Sequence, residues 1–304
     1  MRNLHADHYF QIGSAHYAHG LPCQDYALSG GNERSAVAVV SDGCSTGRHT
    51  DVGSRIQALS LLGAMKSVAE NPREGLLDMS VAIQDRKKEL LHDARMLLGL
   101  SSSDMLATCV YAYLSETGGF VHVEGDGVVA KKFTDGSLVA SHYEWADNTP
   151  FYPAYTGLDL EEFVKTHGGD LSAMRLSRTD VFIDTLGKVG ESRIVEFNLR
   201  DGLLGIFEEI TNEEIETLES VAVFSDGAAQ IEGVEWIDAV VELMSFKNFA
   251  GEFAKRRMIR ALKNYERKSS KPVDDVSMAV IHIEHLHEED EDHVGTDIAG
   301  QLEG

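Results

Sequence analysis

The run Val276–Ile283 is apolar on both of its alternating faces, with Val276, Met278 and Val280 on one and Ala279, Ile281 and Ile283 on the other. Successive side chains of a strand point to opposite faces, so such a run belongs in a sheet covered on both sides. Two other short apolar runs, Ser35–Val40 and Ser220–Phe224, also read as strands. Each is followed by the same tripeptide, Ser41-Asp42-Gly43 and Ser225-Asp226-Gly227. The chain therefore builds a layered core, and its strands end in a repeated polar signature.

Around these runs, His8–His16 and Cys23–Ser29 read as short strands on either side of a turn-like segment at Ala18–Pro22. Val52–Glu70 has helical spacing, with Ile56, Leu59 and Leu62 on its apolar face. A second helix carries Leu76, Met79, Ile83, Leu90, Ala94 and Leu97 inward and Arg86, Lys87 and Lys88 outward. Met105–Leu114, Gly119–Val123, Val128–Phe133 and Ser137–His142 are β-rich, with glycine-containing turns between them. The pattern weakens over residues 143–198, which read as an insertion or flap holding a few strands. Helical spacing returns at Glu235–Met244 and Phe249–Glu266. Residues 1–284 are expected to form one domain, and 285–304 an acidic, disordered tail.

The formal charge is −23, from 27 Lys and Arg against 50 Asp and Glu. The eight acidic residues from Glu284 onward are a minority of that excess, so the whole body is acidic. Such a field repels phosphate backbones and anionic headgroups, which argues against nucleic-acid and membrane partners. Three widely spaced cysteines, Cys23, Cys44 and Cys109, form no CxxC pair and fit a reduced compartment. The first residues lack the apolar run of a signal peptide, and no stretch approaches the length of a membrane span. A cytoplasmic location is the expectation.

Aspartates gather at the expected strand ends. Asp25 sits in Cys23-Gln24-Asp25, Asp42 and Asp226 close their strands, Asp126 sits in Glu124-Gly125-Asp126-Gly127, and Asp274 and Asp275 open the last strand. Any one Asp-Gly can be a simple turn, as Asp201-Gly202 is read here. Several at one sheet edge would offer carboxylates and a freed carbonyl, a hard oxygen set suited to Mg²⁺ or Mn²⁺. A water shared by two such ions loses its proton near neutral pH and becomes a nucleophile.

At these residues the sequence resembles the metal-dependent serine/threonine phosphatases of the type 2C (PPM) family. The motifs occur in the family's order: Gln24-Asp25, VVSDG to Asp42-Gly43, ATCVYAYL from Ala107, Gly125-Asp126, VFSDG to Asp226, and DDVSMAVI with Asp274 at the ligand position. His16 before CQD and the segment NTPFYPAY resemble a divergent bacterial subgroup. The resemblance implies an α+β fold, an αββα sandwich of two antiparallel sheets flanked by helix pairs. It implies two Mn²⁺ or Mg²⁺ ions, with Asp42 bridging them, the Gly43 carbonyl, Asp226 and Asp274 on the first, and Asp25 on the second. Asp126 would serve a looser third ion. A bridging hydroxide would attack phosphoserine or phosphothreonine in a protein substrate, the partner being a cognate kinase or its targets.

The sequence departs from the pattern in places. Cys44 stands where the family has a His that is a candidate general acid, and is read as a small residue filling space. His49 is the substitute candidate for that acid. His16, with Arg48 and Arg55 further out, takes the place of the family's phosphate-gripping Arg. Gln230 replaces a late Asp and weakens the third-ion site. The tail histidines read as solvated. Two alternatives stay open: a pseudophosphatase that binds a phosphoprotein or kinase without turnover, and a hydrolase for a small phosphorylated metabolite.

Overall fold

The computed structural model describes residues 2–32, 34–70, 75–155, 164, 170 and 174–286. Two antiparallel sheets face each other. The larger is ordered β1 (Arg2–Gln11), β12 (Val276–His285), β11 (Leu218–Phe224), β6 (Gly127–Phe133), β7 (Leu138–Trp145), β8 (Leu176–Ile183) and β9 (Val189–Phe197). The smaller is ordered β10 (Ile206–Ile210), β5 (Gly118–Glu124), β4 (Cys109–Ser115), β3 (Ser35–Ser41) and β2 (Tyr26–Asn32).

Alternation within single strands sorts side chains into separate cores. On β12, Ala279, Ile281 and Ile283 enter the core between the sheets, while Val276, Met278 and Val280 enter a second core. That second core is closed by α6 (Trp236–Leu243) and α7 (Phe253–Glu266), through Val240, Leu243, Met258 and Leu262. On β3, Ala36, Ala38 and Val40 face the inter-sheet core, and Val37 and Val39 face α2 (Thr50–Ala69) and α3 (Leu76–Leu98). The result is the expected αββα sandwich.

Several local expectations need correction. The first strand begins at Arg2 and stops at Gln11, and His16 lies on a short helix, α1 (Ser14–His19). The chain turns there because Ser14 and Ala15 N–H donate to the carbonyls of Pro272 and Val273, docking it against the approach to β12. On α2 the buried stripe runs through Ala58, Leu61, Ala64 and Val68, leaving Leu59 exposed. On α3, Leu97 is exposed and Lys87 is fully buried, paired with Glu124 at the end of β5. A long apolar stem with one ion partner lets a lysine occupy an inward position that spacing alone assigns to solvent.

The segment read as an insertion contributes β8 and β9, which extend the larger sheet beyond β7. Its residues 156–163, 165–169 and 171–173 lie outside the described residues, as do 287–304 of the tail. Strand β12 continues to His285, past the expected Ile283. Among the described residues no helix is long and apolar enough to cross a membrane.

Asp201-Gly202 is not a turn but lies within a short helix, α4 (Leu199–Leu204), which the four-residue α5 (Asn212–Ile215) follows after β10. A Cβ on Gly202 would sit 2.6 Å from Cη2 of the buried Trp145 ring. Helix propensity alone makes Gly→Ala favourable by about 1 kcal/mol. Overpacking against an immobile ring reverses that sign, so Gly202→Ala should destabilise the protein by about 1–3 kcal/mol. Urea denaturation midpoints check this, and an unchanged or raised midpoint contradicts the packing account.

Candidate metal centre

Strand register alone carries the five aspartates to one end of the sandwich. Tyr26 pairs with Ser41, so Asp25 and Asp42 lie side by side at the edge of the smaller sheet. Cys109 pairs with Glu124, bringing the Asp126 turn to the same end. In the larger sheet Phe224 pairs with both Val128 and Met278, which places Asp226 and Asp274 there too.

Hydrogen bonds fix these ends across the inter-sheet gap. Ser225 Oγ donates to Asp25 Oδ2 at 2.6 Å and accepts from Ser277 N–H at 3.0 Å, so a serine of one sheet anchors a carboxylate of the other. Asp42 N–H donates to Thr108 Oγ1 at 3.0 Å, and Thr108 N–H returns a bond to the Asp42 carbonyl at 2.8 Å. Gly43 is wedged so closely that a Cβ would lie 2.6 Å from the Thr50 carbonyl oxygen. Gln230 Nε2 donates to Asp226 Oδ2 at 2.6 Å, so Gln230 orients its neighbour's carboxylate. Trp145 Nε1 donates to the Gly125 carbonyl at 2.9 Å, holding the turn that carries Asp126.

The two adjacent aspartates 274 and 275 divide their work. Asp275 is buried and accepts 2.6 Å bonds from the N–H groups of Gly13 and Gln24. Its Oδ2 also lies 2.9 Å from His16 Nδ1. Asp274, half-buried, accepts only the Asp275 N–H within this cluster and reaches toward Asp226. His16, Asp274 and Asp275 offer ligand atoms within 4.8 Å of one another, but both Asp275 oxygens are already engaged.

The carboxylates strain one another electrostatically. Burial pushes Asp25 up to about 7, with the Asp275 charge adding to the rise and the Ser225 bond opposing it. Asp42 is driven well above the usual carboxylate range by burial, then by the charges of Asp25, Asp226 and Asp126. Burial and Asp226 raise Asp126, while burial and Asp274 raise Asp226. Buried like charges disfavour joint ionisation unless a cation joins them. Asp25 Oδ1 and Asp226 Oδ1 are also buried without a hydrogen-bond partner. An all-oxygen donor set with orphaned carboxylate oxygens fits Mn²⁺ or Mg²⁺.

The expected phosphate and acid residues are placed differently from the aspartates. His16 is buried, with Nδ1 2.9 Å from Asp275 Oδ2 but making no hydrogen bond to it. Arg48 and His49 are exposed at the start of α2, and their charges act on Asp104. Arg55 lies over the Tyr26 ring, 5.6 Å from its centroid, at the rim beside Asp25. Cys44 Sγ is 3.1 Å from Thr46 Oγ1. Sequence reasoning missed Tyr152, which is buried near Cys44 and close enough to Asp126 and Asp42 to feel their charge. It also missed Ser225. The serine before both Asp-Gly pairs was the available signal, and at Ser41 it closes onto the Thr108 carbonyl at 2.6 Å.

A pH dependence follows. Asp25 holds its proton to about 7 when folded, against about 4 for an unfolded aspartate. Between those values the metal-free fold binds more protons than the unfolded chain, so its stability falls as pH rises. In chelator the melting temperature should drop between pH 5.5 and 7.5, and Mn²⁺ should raise it most at the upper end. A metal-free melting temperature that climbs through this window contradicts the clustered-carboxylate geometry.

The family model described as Protein phosphatase 2C matches residues 12–270. No curated protein matches the chain significantly. Among solved structures, the chain is similar to the serine/threonine phosphatase Stp1 from Staphylococcus aureus, at 14% identity over 93% of this chain and 96% of that one, with a TM-score of 0.51. It is also similar to the catalytic domain of the serine/threonine protein phosphatase PstP in complex with 2 manganese ions, at 14% identity over 94% of this chain and 100% of that one, TM-score 0.49. The Mycobacterium tuberculosis phosphatase PstP/Ppp is 15% identical over 93% of this chain and 100% of that one, TM-score 0.48. The likeness to Stp1 is one of fold, the same layered sandwich. With the family match spanning most of its length, the chain belongs to the protein phosphatase 2C family of metal-dependent protein phosphatases.

Proposed function

We propose that the protein hydrolyses phosphoserine and phosphothreonine in protein substrates in the cytoplasm, using two Mn²⁺ or Mg²⁺ ions held at the strand-end aspartates. The observation that carries this reading is the meeting of aspartates from both sheets, with Asp25 Oδ1 and Asp226 Oδ1 buried and unpartnered. Asp42 would bridge the ions, with Gly43, Asp226 and Asp274 completing one shell and Asp25 serving the other. Asp126 would contribute to a weaker third site. The ions would supply a deprotonated bridging water as nucleophile and neutralise charge on the phosphoryl oxygens.

The chain's own groups would then orient and exclude. Ser225 and Gln230 hold the Asp25 and Asp226 carboxylates, and Thr108 the Asp42 backbone, before any ion arrives. Tyr152 covers the Cys44 side of the cleft. Arg48 and His49, exposed on the loop that follows Asp42, are proposed as the phosphate contact and the proton donor to the leaving hydroxyl. One observation favours the pseudophosphatase alternative: His16, at the phosphate-gripping position, is only 7% exposed. Turnover separates the two readings.

With p-nitrophenyl phosphate and a phosphothreonine peptide, EDTA should abolish turnover, and Mn²⁺ or Mg²⁺ should restore it where Zn²⁺ does not. Asp42→Asn removes the charge between the ions and should lower kcat at least ~100-fold. Its metal-free melting temperature should hold or rise, since a like charge is lost from the cluster. Near-normal turnover by Asp42→Asn overturns the metal assignment, and unfolding of the metal-free variant makes Asp42 a structural residue.

A further inference from the structure

We propose that a cavity beside the metal centre is a docking subsite for a second anionic side chain, a carboxylate or an additional phosphate, on the polypeptide substrate. The proposal rests on the phosphatase reading and adds a substrate preference to it. The cavity measures about 130 Å³ and lies between α2, α3 and the loop that contains Pro153. Its walls include Lys88, His92, Arg95 and Ser102, with Met105 and Pro153 supplying apolar surface. This is room for an anionic head group and part of its stem, not for a single water.

The charge of the lining is the first argument. The chain carries 50 acidic side chains and a net −23, yet among the described residues no carboxylate lines this cavity. Lys88, His92 and Arg95 stand at i, i+4 and i+7, one stripe of α3. Among the described residues, the nearest salt-bridge carboxylate to Lys88 is the exposed Asp85 at 3.9 Å, and neither His92 nor Arg95 has one. Lys88 and Arg95 together attract an anion to this cavity.

The second argument is readiness. Arg95 Nε donates to the Leu100 carbonyl at 3.2 Å, and Leu100 N–H donates to the Arg95 carbonyl at 3.0 Å, so the helix end fixes the guanidinium stem. Gln57, 2% exposed, also lines the cavity. Its amide nitrogen has no hydrogen-bond partner beyond a weak approach to the Cys109 thiol. A buried donor left this way is expected to find an acceptor.

The third argument is position. Met105 in the cavity wall adjoins Leu106, whose carbonyl accepts from Cys44 N–H at 2.9 Å. Pro153 follows Tyr152, which lies near Cys44. Cys44 is two residues from Asp42. Both walls therefore run directly into the metal centre, and one extended peptide can present its phosphate to the aspartates while a flanking acidic side chain enters the cavity. The apolar wall suits a side chain with a methylene stem over a free ion.

The test uses phosphoserine peptides in which a single Glu, or a second phosphoserine, is stepped through a neutral background on either side of the target residue. Wild-type protein with Mn²⁺ should favour at least one position by about tenfold in kcat/KM, through KM. Lys88→Glu/Arg95→Glu should abolish that preference, and Lys88→Ala/Arg95→Ala should weaken it. Both should hydrolyse p-nitrophenyl phosphate and the neutral peptide within about twofold of wild type, which also reports that they fold. No preferred position, an unchanged preference in the reversal variant, or an equal fall on every substrate overturns the subsite. If wild type turns over none of these substrates, the phosphatase reading fails separately. Metal-free peptide affinity then decides: weaker binding of the acidic peptide by the reversal variant upholds the subsite, and equal binding by both proteins overturns it.

Discussion

Burial of the central strands on both faces is the constraint from which the rest of the structure follows. Strands β3, β4, β11 and β12 each give one face to the inter-sheet core and the other to a helix pair. Their middles consequently have little room for ionisable groups, because a charge there would lose its water with no partner to replace it. The chemistry is confined to strand ends. Antiparallel register then brings the ends of β3, β5 and β11, and the starts of β2, β6 and β12, to one side. The site is therefore a consequence of how the sandwich closes.

That arrangement stores repulsion. Asp25, Asp42, Asp126 and Asp226 are held in a partly dehydrated cleft, where burial raises the proton affinity of all four and the charges of Asp25, Asp126 and Asp226 raise that of Asp42 further. Short bonds from Ser225 and Gln230 hold two of the carboxylates in position without neutralising them. The neighbouring Asp275 meets the opposite fate, since two backbone N–H groups occupy its oxygens and His16 lies beside it. Two aspartates adjacent in sequence thus differ in role because alternation along the chain turns one to the cleft and the other to the interior.

The covered sheet and the strand-end aspartates were legible because both rest on local pattern, whereas the αββα order was legible only through the family resemblance. Two-sided apolar strands demand a covered sheet, and an Asp at a strand end needs no long-range information to be recognised. The remainder depended on pairings the sequence does not display. Lys87 reads as solvent-facing until Glu124 is seen to meet it across the α3–β5 contact. His16 could be placed near Asp25 by motif, but its proximity to Asp275 joins positions some 260 residues apart. Gly202 looked like a turn because nothing local reveals the Trp145 ring against it. Tyr152 sits in a segment without periodicity, and only tertiary closure brings it to Cys44.

The central claim is that the strand-end aspartates form a divalent-cation centre with Asp42 between the ions. Its most direct test is an anomalous-scattering map from crystals grown with Mn²⁺ and measured at the manganese edge. The account predicts two strong peaks about 3.5–4 Å apart, both within bonding distance of the Asp42 carboxylate, with Asp226 and Asp274 on one and Asp25 beside the other. No peak at Asp42, or a single peak among His16, Asp274 and Asp275, would contradict it.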